Sequence, residues 1–195
     1  MKNSNRRGDI LQAALEIISE HGFHRSPMSM IAEKARVGAG TIYCYFKSKD
    51  ELIIEINRIL EEKMLLSIEK NYPFNKDIKK RFFHLCKTVF TYFINHPVHF
   101  RFLEQYFYSP YGVSVHKERI VGTVGEPNIF QKLVKQGIEQ KVIKDMPLFM
   151  HFAIAYGPII ILVRNHVLGL VELDNVQINQ AIKAVWDAIK KSLSD

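Results

Sequence analysis

The chain has 195 residues, 47% of them apolar, with 27 Lys and Arg against 20 Asp and Glu for a formal net charge of +7. That length is enough for a sizeable core, and the apolar share excludes a disordered chain. Two cysteines, Cys44 and Cys86, in unlike helical contexts exclude a disulfide framework and predict a reducing, cytoplasmic setting. Residues 1–49 hold eight Lys/Arg against four Asp/Glu, residues 50–70 three against six, and residues 71–195 sixteen against ten. The basic excess is spread over both ends, so net charge alone argues only weakly for a nucleic-acid partner.

In chain order, the start Met1-Lys2-Asn3-Ser4-Asn5-Arg6-Arg7 runs into an amphipathic helix and not into an apolar signal core. That first helix is predicted over 6–21, with Ile10, Leu11, Ala14, Leu15 and Ile18 on one face and Gly22 as its stop. Ser26 suits an N-cap and Pro27 a first helical position; Met28, Ile31, Ala32 and Ala35 follow at helical spacing. Val37-Gly38-Ala39-Gly40 breaks the pattern, and Thr41 to Phe46 forms a second short helical run. Ser48 caps a fourth helix over 49–70, and Glu51 completes a capping-box spacing. Leu52, Ile56, Ile59, Leu60 and Met64 are its inward face.

A fifth helix over 75–95 carries Ile78, Phe82, Leu85, Val89 and Phe93, and His96-Pro97 ends it. A sixth covers 98–108. Residues 109–127, with two prolines and three glycines, read as a loop with room for a short helix. Helices over 128–141, 146–170 (kinked at Pro158) and 175–193 complete an all-α chain with no convincing strand. The last carries Ile178, Ile182, Val185, Trp186 and Ile189 on one stripe. Met146 to Val163 is uncharged over a length near that of a membrane span, but His151 and Gly157-Pro158 interrupt it. It reads as a buried helix, and no membrane partner is expected.

Short helix, glycine-containing turn, short helix is the helix-turn-helix plan. The run Gly22-Phe23, Ile31-Ala32, Val37, Gly40-Thr41-Ile42-Tyr43, Phe46 and Lys49 with Leu52 resembles the N-terminal domain of the tetracycline-repressor (TetR) family of bacterial transcription regulators. The spacing matches over about residues 7–55. Arg36 stands where the family often has glycine, and Gly38 and Ala39 where serine and a polar or basic residue are common. The resemblance implies an N-terminal three-helix helix-turn-helix domain over 1–48. It is joined to a C-terminal helical ligand-binding and dimerisation domain over 49–195.

The DNA-facing set is Ser26, Ser29, Ala39, Gly40, Thr41, Tyr43, Tyr45 and Lys49. Thr41 and Tyr43 open the second short helix, where side chains and backbone N–H groups meet phosphate. By resemblance, Tyr43 contacts phosphate, Tyr45 lies near the groove and Lys49 grips the backbone. Packing between helices is the alternative role for the two tyrosines, and helix capping the favoured one for Ser26. No carboxylate occurs from 34 to 49, whereas Lys34, Arg36, Lys47 and Lys49 do. Arg6 and Arg7 read as a basic arm or, slightly favoured, as a solvated terminus.

The resemblance also implies a small-molecule effector of unknown identity and a homodimer. Aromatic residues are dense from 82 to 111, and Phe102, Tyr106, Phe130, Phe152 and Tyr156 are the expected pocket lining, with His151 orienting a largely apolar ligand. Ordinary core packing is the alternative for each. The last two helices carry more apolar surface than one face needs, and by resemblance pair with a second copy, whose two-fold axis matches a palindromic double-stranded operator. No HExxH, CxxC, GxSxG, P-loop or Rossmann glycine pattern occurs, so no enzyme, metal or cofactor is expected. The leading expectation is a homodimeric repressor released from its operator by a small apolar ligand. The alternative is a helical ligand-binding or interaction protein with lost or weak DNA binding.

Overall fold

The computed structural model describes residues 6–113 and 127–192. Its helices are α1 (Arg6–His21), α2 (Met28–Lys34), α3 (Ala39–Tyr43), α4 (Lys49–Glu69), α5 (Ile78–Asn95), α6 (Pro97–Phe107), α7 (Ile129–Glu139), α8 (Leu148–Val167) and α9 (Asn175–Ile189). Among the described residues the only strand-like pairing is one antiparallel bridge between Ile143 and Lys190. Most of the expected 109–127 loop lies outside the described residues; 110–113 are helical.

Packing divides the chain into two compact units. Among the described residues, one contains 6–63 together with His96–Val113; the other contains Met64–Asn95 and 127–192. In the first unit, α1 lies against α2 and α6. Its core is built from Ile10, Ala14 and Ile18 of α1, Ile31 of α2, Ile42 and Phe46 at α3, and Leu52, Ile53, Ile56 and Leu60 of α4. Phe102 and Tyr106 of α6 complete it. The expected inward faces of α1 and α4 are therefore the observed ones, with Leu11, Ile59 and Met64 only half-buried.

Helix ends in this unit follow local chemistry. Gly22 takes a φ of +80° and its N–H reaches the Ile18 carbonyl at 2.8 Å, closing α1. Alpha-2 closes on Arg36, whose φ is +56°. The Arg36 N–H donates to Glu33 and the Val37 N–H to Ala32, both at 3.0 Å. This is the paired closure that usually places glycine in the left-handed position. Ser26 does not cap α2: Pro27 occupies that position, and the buried Ser26 hydroxyl donates to the Gly22 carbonyl at 2.6 Å. Alpha-3 begins at Ala39, two residues before its expected start, because Gly38 sits extended ahead of it. Ser48 caps α4 by accepting the Glu51 N–H at 3.1 Å, while the Glu51 carboxylate accepts the Lys47 N–H at 2.7 Å.

In the second unit α5 packs against α7, α8 and α9. Ile78, Phe82, Leu85, Val89 and Phe93 are all buried, as are Ile178, Ile182, Val185, Trp186 and Ile189. The Phe82 and Trp186 rings meet at 5.5 Å. Capping boxes start α7 (Asn128 with Gln131) and α9 (Asp174 with Gln177). The expectation that the helix at 146–170 is buried fails. Alpha-8 is long and apolar enough to cross a membrane by length and composition, yet only 22% of its apolar window is buried. Its inward stripe is confined to His151, Ala155, Ile159 and Val163, one residue per turn, and Ile161 is 53% exposed.

Glu55 ties α1 to α4. Arg7 Nη2 donates to it at 2.6 Å and Arg58 Nε at 2.8 Å, with the Glu55 side chain 17% exposed. The Arg58 hydrogen bond, assisted by Arg7 and opposed by burial, holds its carboxyl down at about 2. An unfolded glutamate titrates near ~4.3. As pH falls, the unfolded chain takes up this proton first, so the contribution is complete above the unfolded value and lost on the way down to the folded one. Glu55→Gln is expected to lower the urea midpoint at pH 7, with the gap to the native sequence narrowing as pH falls from about 5 toward 3. A gap independent of pH would remove the ion-pair account. Separately, Arg36→Gly is expected to raise the unfolding free energy by about 0.5–1 kcal/mol, because glycine enters the left-handed region without the Cβ penalty.

Candidate nucleic-acid interface

Alpha-2, the turn and α3 form a short exposed platform held from below. Ile31 and Ala32 fix α2, and Ile42 and Phe46 fix α3 and its exit. The Phe46 ring is 1% exposed and carries the Arg7 guanidinium 5.1 Å from its centroid. Arg7 is thus neither a free basic arm nor a solvated terminus; it is paired to Glu55 and stacked. With Ile42 and Phe46 four residues apart facing inward, the opposite side of α3 must face out. Ala39, Gly40 and Tyr43 do so, Tyr43 being 55% exposed, and Ser29 of α2 is exposed as well.

Thr41 is half-buried, and its N–H is taken by the Gly38 carbonyl at 2.8 Å. Tyr45 is half-buried against the core of the unit, so Tyr43 and Tyr45 do occupy unlike surroundings. Ser26 is not on this face: it is fully buried, with its hydroxyl directed to the carbonyls of Gly22 and Ile17. Lys49 is half-buried and its ammonium donates to the Phe23 carbonyl. Burial pulls its pKa down, and neighbouring Asp50 partly restores it. The tie to Phe23 fixes the start of α4 to the segment leading into α2.

Exposed charge around α3 is mostly positive. Lys34 pairs with Glu16 at 3.0 Å, while Arg36 and Lys47 are exposed. The acids at the start of α4 are engaged, Glu51 by the Lys47 N–H and Asp50 by the Tyr111 hydroxyl at 2.5 Å, while Glu33 of α2 is exposed. Lys47 was named from sequence among the cations of the carboxylate-free run but not in the DNA-facing set. Tyr111 lay in a stretch read as loop and gave none.

The six expected ligand-lining residues are divided between the two units. Phe102 and Tyr106 are buried in the first, stacked at 6.2 Å, with Phe23 edge-on to Phe102 at 5.8 Å. The other four belong to the second. Phe130, Phe152 and Tyr156 form one ring cluster with centroids 4.6 to 5.5 Å apart. His151 is fully buried, its Nε2 3.0 Å from the Lys144 carbonyl and its Nδ1 3.3 Å from that of Pro147. Both ring nitrogens therefore face backbone, and His151 braces the start of α8.

Comparison with known proteins agrees with this layout. Residues 10–56 match the model for bacterial regulatory proteins of the tetR family, and residues 77–190 the tetracyclin repressor-like C-terminal domain. The fatty acid metabolism regulator protein of Bacillus subtilis is 43% identical over 72 residues, which are 37% of this chain and 34% of that protein. Three of the curated relatives matched are spanned over only 34%, 46% and 52% of their length. The crystal structure of a TetR family regulator from Marinobacter aquaeolei superposes with a TM-score of 0.82 at 21% identity, covering 96% of this chain and 97% of that one. A transcriptional regulator FadR from Bacillus subtilis, solved in complex with stearoyl-CoA, gives 0.70 at 22% identity, covering 92% and 95%. At such identities the likeness of structures speaks for the fold. The two family models, one on the helix-turn-helix platform and one across more than half of the chain, place this protein in the TetR family of bacterial regulatory proteins.

Proposed function

We propose that the chain is a sequence-specific, DNA-binding transcriptional regulator acting as a homodimeric repressor, with no catalytic role. The observation that carries this is the outward face of α3: Ala39, Gly40 and Tyr43 exposed, Lys47 and Arg36 beside them, and the adjacent carboxylates of Asp50 and Glu51 engaged. Phosphate contacts position a protein on a duplex, and base contacts from a helix in the major groove specify sequence. Tyr43, Ser29 and Thr41 with the neighbouring cations supply the former. Tyr45 reaches the groove edge, and Ala39 and Gly40 allow close approach of backbone. Lys49, tied to Phe23, positions α4 and presents its remaining donors to the backbone. The division into a DNA-reading part, 1–48, and an effector and dimer part, 49–195, follows from this reading, and so does a cytoplasmic location.

The dimer reading rests on α8 and its surroundings. Ile161, Leu168, Leu170 and Val176 are large, apolar and exposed. A second copy applied about a two-fold axis covers such a face and matches a palindromic operator. The effector reading rests on the aromatic cluster of Phe130, Phe152 and Tyr156 and on the FadR neighbour crystallised with stearoyl-CoA. A largely apolar ligand in this unit shifts the dimer to a state that no longer fits successive major grooves. Gly38 and Ala39 bring few polar groups to α3, which favours the second reading, a ligand-binding protein with weak DNA affinity.

Fluorescence anisotropy against the protein's own upstream DNA, over a salt series with a nonspecific duplex as control, separates the two. Tight binding that prefers the upstream fragment and falls steeply with salt is expected. Tyr43→Ala should weaken it by about tenfold, the loss of one charge-assisted hydrogen bond. Lys47→Ala should weaken both duplexes alike and reduce the salt slope by about one. Equal, weak binding to both duplexes at every salt would favour the second reading. For the dimer, Ile161→Glu is expected to turn a dimeric sedimentation profile into a monomeric one; an unchanged profile would move the interface elsewhere.

A further inference from the structure

Within the apolar stripe of α5 stands one charged residue. Arg81 lies three positions after Ile78 and four before Leu85, on the buried face, and is itself only 9% exposed. Its Nη1 donates to Gln136 Oε1 at 2.7 Å, and the guanidinium lies beside the Tyr72 phenol, opposing the upward push of burial on that group. It has no ion pair to a carboxylate among the described residues, and its Nε is sealed from solvent without a partner. The Tyr72 ring lies 5.7 Å beneath the guanidinium carbon. Tyr72 is 6% exposed, and its hydroxyl is likewise sealed, with no acceptor for its proton. Two buried donors of one small region thus face no acceptor.

Such groups are expensive to keep. Buried polar atoms are nearly always satisfied, and a buried charge is normally paired. An arginine here whose stem alone mattered for packing would be replaced by an apolar residue without loss. What the cluster lacks is an anion. Arginine offers a planar fork that matches carboxylate and phosphate oxygens, and a phenol adds a third donor. Apolar surface is adjacent: the Tyr156 phenol, pushed up by burial with Cys86 and Tyr72 as neighbours, belongs to the ring cluster with Phe130 and Phe152.

We propose that Arg81 and Tyr72 bind the anionic head, a carboxylate or phosphate, of an amphipathic ligand whose apolar part lies against Phe130, Phe152 and Tyr156. This rests on the reading of this unit as the effector-binding part, and it names the chemical class of the effector: an anion with an apolar tail. A neutral hydrocarbon would leave the guanidinium unpaired and gain nothing from it.

The test is a calorimetric titration of the whole chain, without DNA, using dodecanoate, dodecyl phosphate and dodecanol as separate probes. At least one anion should bind tenfold or more tighter than the alcohol, and the tighter of the two identifies the head group. Arg81→Met, which keeps the stem volume, should weaken that anion by at least about tenfold and leave dodecanol unchanged. Arg81→Lys should retain part of the preference, and Tyr72→Phe, which leaves the arginine in place, should weaken the anion several-fold. If Arg81→Met fails to fold, the lysine and phenylalanine variants carry the same comparison. Anions and alcohol binding alike, no probe binding, or an undiminished anion preference in the variants would overturn the proposal. Anion binding through Arg81 that leaves the upstream duplex bound would keep the anion site and sink the effector reading instead.

Discussion

A helix of five residues cannot hold itself together in water, so the exposed face of α3 exists only because Ile42 and Phe46 are buried beneath it. Phe46 is the more consequential of the two. It leaves the short helix into the core shared by α1 and α4, and Arg7 closes over its ring. Arg7 is in turn fixed by Glu55, which Arg58 also holds. The orientation of Tyr43 is therefore set by a buried ring and a paired arginine beneath the exposed face. The Lys49 tie to the Phe23 carbonyl and the Tyr111 tie to Asp50 act in the same direction, each fixing the start of α4 against another segment of the same unit. A reading surface this small needs such a frame, because a displacement of its short helix would misplace every contact together.

Much of this frame was legible from residue types alone. Gly22 and the Ser48–Glu51 pair announced helix boundaries, and the stripes of α5 and α9 announced their buried faces, because periodicity and end chemistry are local properties. Arg36 was legible as an oddity: a non-glycine at a closure that favours glycine, which the φ of +56° bears out. Ser26 was misread because capping and burial call for the same residue type. A serine before Pro27 looks like a cap whether its hydroxyl turns to the following N–H groups or back to the Gly22 carbonyl. Phe102 and Tyr106 are separated from the other four expected lining residues for a different reason. Their density of aromatic neighbours in sequence says nothing about which core they join, and α6 joins that of the first unit.

Arg81 shows the limit from the other side. Reading Ile78, Phe82, Leu85, Val89 and Phe93 as a stripe passes over the arginine between them, since charged residues on a helix are ordinarily solvated. Only burial reveals that this one is not. Alpha-8 reverses the error: an uncharged run invites the inference of a buried helix, yet most of its residues are only partly buried. In both cases composition pointed to the commoner outcome, and a tertiary fact overrode it.

These two exceptions have a common logic. A monomer optimised for its own stability would place apolar side chains where Arg81 is and polar ones where Ile161 and Leu168 are. Each violation lowers the stability of the isolated chain, and each is relieved by something the isolated chain does not contain. On the readings proposed above, an anion relieves the first and a second copy the second. Both lie in the second unit, whereas the first unit keeps its charges paired or solvated and its apolar groups mostly inside. Alpha-4 contributes residues to both units. Any shift an anion could produce in the second unit would be limited by how much more favourably it is held in one arrangement of that unit than in another.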